Sequence, residues 1–219
     1  MFDSAVMNMI LEGIRDTLYM TLTSTLIGYI IGLPLGILLT VTAKDGLKPN
    51  AVIYRIFDII CNIIRSIPFL ILLILLIPFT RAVVGKSYGS TATIVPLVIC
   101  CAPYIARMVE SSLKEVDPGV IEAARSMGAS NGQIILHVLL VEARTSLLTG
   151  ATITTGLVLG YSAMSGTVGG GGLGDIAVRY GYYRWQTDIM IVTVILLVVL
   201  FQIIQNLGMK ISAGLDRRK

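Results

Sequence analysis

Residues 189–209 read IMIVTVILLVVLFQIIQNLGM and contain no Asp, Glu, Lys or Arg. This run is long enough for a helix to cross the hydrocarbon core of a bilayer, which takes about 20 apolar residues. It is apolar on every side, whereas the strands of a membrane barrel alternate apolar and polar residues. The run therefore predicts a transmembrane α-helix.

Four more windows without a charged residue precede it, at 17–43, 66–80, 87–106 and 145–174. The second is short and reaches a spanning length only when it is extended back through Arg65. The chain is 55% hydrophobic and 14% charged, well below the roughly 25% charged residues of a soluble domain. We predict an all-α integral membrane protein with five transmembrane helices, at about 17–43, 58–80, 87–107, 145–170 and 189–209.

Five spans place the two termini on opposite sides of the membrane. If the amino terminus is outside, the inner segments hold twelve Lys and Arg residues and the outer segments five. The positive-inside rule therefore predicts a cytoplasmic carboxyl terminus and a cytoplasmic loop at about 108–144. Topology explains these basic residues, so the net charge of +4 does not predict nucleic-acid binding. We divide the chain into three parts. They are an extracytoplasmic segment (1–12), a transmembrane domain (13–205) and a last segment (206–219) that holds the end of the last span and a basic cytoplasmic tail.

The cytoplasmic loop carries two helix-start signals. Asp117 is a candidate N-cap, Pro118 suits the first helical position, and Gly128 suits the left-handed residue that ends a helix. Ser130 and Gln133 have the spacing of a capping box, which predicts a second short helix. The first helix has only one Arg and one Glu, whereas a helix that lies on lipid is rich in basic residues. We therefore expect it to dock into a partner protein.

Motifs for independent chemistry are weak. Gly169, Gly171 and Gly174 match a dinucleotide-binding pattern in spacing, but a membrane helix precedes them where that site needs a strand. Residues 80–87 lack the first glycine of a phosphate-binding loop, so we predict no ATP hydrolysis. His137 has no partners at metal spacing, and the three cysteines suit buried positions. We predict no catalytic residue and no metal site.

The spans themselves contain few functional signals. Gly28, Gly32 and Gly36 repeat at four-residue spacing, which indicates either close helix packing or the general abundance of glycine in membrane helices. Asp58 and Arg65 are the ionisable residues within a span, near its cytoplasmic half. Transporters coupled to ions usually bury more such groups, so the sequence disfavours a transporter with its own energy source.

Glu122-Ala-Ala-x-x-x-Gly128 resembles the cytoplasmic signature of type I ABC-importer permeases, E-A-A, three residues, G, nine residues, I-x-L-P. The tail departs from that pattern, because Val138 replaces the isoleucine and Val141 the proline. Arg65-Ser-Ile-Pro-Phe69 resembles a second-span motif of the amino-acid branch of these permeases.

Other segments resemble the permease subunits of methionine importers. They are IPFTR at 77–81, ARMVE at 106–110, GYSAM at 160–164 and GGLG at 171–174. The similarity runs from about Glu12 to the last span. It implies the type I ABC-importer permease fold over the transmembrane domain, and a bacterial cytoplasmic membrane protein that moves methionine, D- or L-, by alternating access.

The resemblance also implies partners and sites. A second copy of the chain, two ATPase subunits that bind ATP and Mg, and an extracytoplasmic methionine-binding protein would complete the importer, with no cofactor in this chain. Five residues would couple to the ATPase (Glu122, Ala123, Ala124, Met127 and Gly128), and three would line the path or gate (Tyr161, Ser162 and Met164). The alternatives are an importer of another amino acid and a membrane anchoring subunit without transport.

Overall fold

The computed structural model describes residues 3–215, and within them the chain forms helices and no β-strand. The tail residues Arg217, Arg218 and Lys219, which contribute to the predicted orientation, lie outside the described residues. The helices are α1 (Ser4–Thr42), α2 (Ala51–Ser66), α3 (Phe69–Leu75), α4 (Ile77–Val84), α5 (Ser90–Lys114), α6 (Pro118–Ser126), α7 (Asn131–Glu142), α8 (Arg144–Met164), α9 (Gly172–Ile176) and α10 (Thr187–Leu215).

Four helical stretches among the described residues are long and apolar enough to cross a membrane: α1, α5, α10 and the stretch Arg144–Tyr182 that begins with α8. The number becomes five when α2 and α3 count as one bent span. The predicted all-helical membrane fold is confirmed, and the number of crossings and the orientation stay predictions. Helix α5 supplies much of the core, including Leu97, Cys101, Ile105, Val109 and Leu113. Helix α10 is mostly exposed, as a lipid-facing helix is.

The second predicted span, 58–80, is not one straight helix. Helix α2 ends at Ser66, and α3 starts at Phe69 after a bend of 102°. Pro68 explains the break, because proline lacks an N–H and disfavours the helical conformation of the residue before it. Ile67 accordingly has an extended backbone, with φ −84° and ψ 125°.

Several helices extend beyond the predicted spans, and α1 and α5 show the reasons. Helix α1 begins at Ser4, where the Asp3 carboxylate accepts a hydrogen bond from the Ser4 N–H at 2.7 Å. Helix α5 continues to Lys114, so residues 108–114 are helical although they fall within the predicted loop. The charged residues in the added turns do not end these helices. Ion pairs stabilise the added turns of α5, and the Asp3 cap stabilises the start of α1.

Three of the glycines of α1, Gly28, Gly32 and Gly36, lie against α5. A Cβ atom added at Gly32 would lie 2.7 Å from the carbonyl oxygen of Ala102, and one added at Gly36 would lie 2.6 Å from that of Ala106. At Gly28 the added atom would meet the Cys101 Sγ. The glycine face therefore brings the two helix backbones together in the way that small residues permit in membranes.

Candidate coupling and translocation sites

Helix α6 has both of its predicted caps. The Asp117 carboxylate accepts a hydrogen bond from the Gly119 N–H at 2.7 Å, and Pro118 occupies the first turn. At the other end Gly128 has a φ of +84°. Its N–H donates to the Arg125 carbonyl at 2.9 Å and the Ala129 N–H donates to the Ala124 carbonyl at 3.1 Å. This pair of bonds is the Schellman arrangement, which fixes where α6 ends.

Helix α7 begins with the predicted capping box. The Ser130 N–H donates to the Gln133 Oε1 at 2.8 Å, and the Gln133 N–H donates to the Ser130 Oγ at 3.4 Å. Residues 134–139 then have the wider hydrogen bonding of a π-helix. Because both helices are closed by local bonds, the connection between them, residues 127–130, is held in a defined shape.

The predicted coupling residues fall on different sides of α6. Ala124 is buried and belongs to the same apolar cluster as Leu113 and Ile134. Glu122 and Ala123 are exposed, and Met127 is 81% exposed. Ala123 and Ala124 therefore do not share one exposed face of α6. Ala124 attaches α6 to the core, and Ala123 is free to contact a partner.

A cleft of about 550 Å³ adjoins α6. The connection between α1 and α2 lines one wall, and α6 and the end of α5 contribute Glu122, Arg125 and Lys114. The cleft contains charges of both signs, because Lys44 and Asp45 come from the opposite wall. It gives the coupling region a recessed surface beside the exposed face of α6.

The three predicted path residues have three different environments. Tyr161 stacks on Phe69 of α3, with ring centroids 4.6 Å apart and planes 10° from parallel. Met164 is 52% exposed at the end of α8. Ser162 is only 1% exposed, donates to the Leu159 carbonyl at 2.8 Å and lies 3.5 Å from the Thr21 Oγ1 of α1. Ser162 therefore lies at a helix interface, without a surface open to a substrate.

A polar cluster that the sequence did not predict joins α2 to α5. We call it the clasp, and it consists of Tyr54 and Asp58 of α2 with Arg107 and Glu110 of α5. Arg107 pairs with the Asp58 carboxylate through Nη2 and with Glu110 through Nη1, the latter at 2.7 Å. The Tyr54 hydroxyl donates to Glu110 at 3.1 Å, and Lys114 also pairs with Glu110 at 2.7 Å.

The spacing within α5 was the available signal for the clasp. Arg107, Glu110 and Lys114 are separated by three and four residues, which places them on one helix face. Glu110 is 4% exposed, and a buried carboxylate needs donors around it. Asp58, by contrast, is 49 residues from Arg107, and no local pattern links residues that far apart.

The glycine-rich segment after α8 makes a tight turn. Gly169, Gly171 and Gly172 have φ values of +76°, +84° and +75°. The Thr17 Oγ1 of α1 accepts a hydrogen bond from the Leu173 N–H at 2.9 Å. The segment packs the start of α9 against α1 and does not follow a strand, so it has no resemblance to a nucleotide cradle.

Residues 3–215 contain no group of three or more His, Cys, Asp or Glu side chains that could hold a metal ion. His137 is exposed on α7. The described helices thus combine a largely apolar exterior with a short capped helix, α6, between two candidate spans.

The class that this fold and site define is that of transport subunits of the membrane. The chain belongs to the family described as binding-protein-dependent transport system inner membrane component, whose sequence profile matches residues 32–212. It is thus a multi-pass subunit of the cytoplasmic membrane and not an enzyme.

Relatives extend this result over nearly the whole chain. The chain is 47% identical to the probable D-methionine transport system permease protein of Vibrio cholerae, over 96% of this chain and 94% of that protein. It is 50% identical to the D-methionine transport system permease protein of Escherichia coli K12, over 74% of each.

Solved structures have the same fold. An inward-facing methionine ABC transporter superposes with a TM-score of 0.97 at 47% identity, over 99% of this chain and 100% of the other. An amino acid ABC transporter superposes with a TM-score of 0.73 at 22% identity, over all of both chains. The second match shows the fold alone, and the first agrees with the family resemblance.

Proposed function

We propose that this chain is the permease subunit of an ATP-driven importer that moves methionine into the cell. The observation that carries the proposal is the similarity to D-methionine permeases along 96% of the chain. Similarity of that extent includes the helices beside the path as well as the coupling loop. The proposed substrate is methionine, as the D-isomer, the L-isomer or both.

The partners in this proposal are a second copy of the chain, two ATPase subunits and an extracytoplasmic methionine-binding protein. The ATPase subunits bind ATP and Mg²⁺, and this chain binds neither. Helix α6 supports the docking of the ATPase, because it presents Glu122, Ala123 and Met127 on an exposed face while Ala124 holds it to the core.

The proposed mechanism is alternating access driven from α6. Closure of the ATPase dimer moves α6, and its two caps make it move as a unit instead of unwinding. Three residues, 115–117, separate α6 from α5, so the movement reaches a spanning helix directly. Tyr161 and Met164 are the proposed path or gate residues, and Ser162 supports α8 against α1.

The test measures uptake of labelled methionine by vesicles that contain this chain together with its ATPase. The binding protein is supplied on the extracytoplasmic side of the transporter, and ATP on the cytoplasmic side. We expect uptake that depends on ATP and on the binding protein. Unlabelled D-methionine, L-methionine and leucine are added in turn as competitors.

Failure of both methionine isomers to compete would reject methionine and favour an importer of another amino acid. Vesicles with this chain alone are the matched control and should accumulate nothing. An assembled complex that moves no amino acid would favour the anchoring alternative.

A further inference from the structure

Helix α2 is held to the rest of the chain largely by polar contacts. Of its sixteen residues, all of which the structure describes, only Cys61 is buried. Cys61 shares a small apolar cluster with Leu39 of α1 and Ala106 of α5. Helices in a membrane associate through close packing and polar contacts and not through the hydrophobic effect. Because α2 packs so few side chains closely, the clasp contributes a large share of its attachment.

Arg107 is the centre of the clasp. Its two terminal nitrogens contact two carboxylates, Asp58 on α2 and Glu110 on its own helix. The planar guanidinium suits this arrangement, because its donors have a fixed fork geometry that an ammonium lacks. Asp58 and Glu110 of the clasp balance Arg107 and the neighbouring Lys114, so these four groups together have no net charge when all are ionised.

The clasp lies between the coupling helix and the proposed path. On one side, Arg107 and Glu110 lie in the last turns of α5, directly before α6. On the other side, α2 leads through the bend at Pro68 to Phe69, which stacks on Tyr161. A continuous set of contacts therefore connects α5 to the proposed path through α2 and α3, and a displacement of α5 can be transmitted along it.

We propose that Arg107 is a positioning residue for transport, which locks α2 to α5 so that movement of α6 reaches the Phe69–Tyr161 stack. The proposal rests on the proposed function and names a further residue for it. Without the lock, α2 slips relative to α5, and ATP hydrolysis is no longer matched by movement of the path. The two helices then move separately, whereas in the wild-type protein the clasp makes them move together.

The first readout is the ratio of methionine uptake to ATP hydrolysis in vesicles that contain the complete transporter. Asp58→Asn removes the charge with little change of shape, and we expect the ratio to fall about tenfold, within the range of typical coupling between sites. Arg107→Lys keeps the charge but not the fork, and we expect a smaller fall. Arg55→Gln, on the exposed side of α2, is the matched control and should leave the ratio unchanged.

The combination Asp58→Asn with Arg107→Gln tests whether the pair acts as one unit. We expect the double variant to have the same ratio as Arg107→Gln alone, because contacting residues are not additive. Additive losses would overturn the proposal, and so would a wild-type ratio for Asp58→Asn. If the complex with Asp58→Asn fails to assemble, Arg107→Lys replaces it as the test variant.

The second readout needs no substrate. Cys61 is buried between α2, α1 and α5, whereas Cys100 and Cys101 are buried elsewhere in the core. We expect methyl methanethiosulfonate to label Cys61 about tenfold faster in Asp58→Asn than in the wild-type chain, with Cys100 and Cys101 unchanged in peptide mass spectra.

Unchanged labelling of Cys61 would overturn the lock, and so would equal increases at all three cysteines, which would indicate general loosening. If the wild-type complex instead moves no methionine, the substrate proposal fails while the labelling still decides the role of the clasp.

Discussion

Gly128 ends α6 in a conformation that other residues adopt only at a cost. Its φ is +84°, and a Cβ added there would meet no atom within 4 Å. The backbone, and not lack of space, is therefore what requires glycine. For other residues the left-handed region costs about 1–2 kcal/mol, and β-branched residues are the least tolerant.

We expect Gly128→Val to reduce methionine uptake strongly while the ATPase still copurifies with the chain. The substitution distorts the end of α6, so the helix docks but no longer transmits movement as a unit. Gly132→Val is the matched control, because Gly132 lies in α7 with open space and without a positive φ. Normal uptake by the Gly128 variant would contradict a lever role for α6.

Tyr161 gives a second prediction at this scale. We expect Tyr161→Ala to lower uptake about threefold to tenfold, because it removes a stacked pair worth about 0.5–1.5 kcal/mol beyond its buried area. Tyr161→Phe keeps the ring and should transport at nearly the wild-type rate. Equal rates for the alanine and phenylalanine variants would show that the stack with Phe69 has no part in transport.

Sequence patterns predicted single residues well where the interactions are local. Asp117, Gly128 and the Ser130–Gln133 pair have the predicted conformations, because caps depend on neighbours within a few positions. The environment of Ser162 was not predictable in this way. Residues 161 and 164 lie near one face of a helix of 3.6 residues per turn, whereas residue 162 is turned roughly 100° away from residue 161. The environment of Ser162 is therefore set by the helix that packs there.

At the scale of elements, charge-free windows located the helices but not their ends. Lys114 and Glu110 continue α5 through ion pairs at helical spacing, which a hydropathy criterion treats as loop residues. The bend before α3 follows from Pro68, yet its angle depends on what α3 packs against. Helix ends are therefore set by caps, prolines and ion pairs more than by apolar length.

The contact between α1 and α5 predicts a strong effect of added volume. We expect Gly32→Leu to lower the thermal unfolding temperature of the detergent-solubilised chain, because the side chain would meet the backbone of α5 and overpacking costs about 1–3 kcal/mol or more. Gly214→Leu is the control, since nothing lies within 4 Å of that position. Equal stability of the two variants would mean that the helices separate without cost.

At the scale of the whole molecule, the orientation is a separate prediction. Single cysteines replace Lys44, between α1 and α2, and Lys86, between α4 and α5, in a chain whose natural cysteines are changed to Ser. In intact cells we expect a membrane-impermeant maleimide to label position 86 and not position 44, since the basic segments face the cytoplasm. The opposite pattern would invert the topology and remove α6 from the cytoplasmic side.

The function of the whole molecule was predictable only through its resemblance to a family. Composition and spans indicate a membrane protein without its own energy source, and they fit an anchor as well as a permease. The segment at 122–128 gave the class through its resemblance to the signature of type I ABC-importer permeases. The segment at 160–164, together with others, gave the resemblance to methionine permeases. The contact of the clasp between α2 and α5 was not predictable, since it forms only when these two helices pack side by side.

The clasp also has a consequence for how the protein is made. Asp58 leaves the ribosome 49 residues before Arg107, which corresponds to roughly 2–10 s of synthesis at about 5–20 residues per second. During that interval α2 enters the membrane with an acidic group that has no partner. We therefore expect its final insertion to await α5, so that a ribosome stalled between the two helices should leave α2 accessible to the insertion machinery.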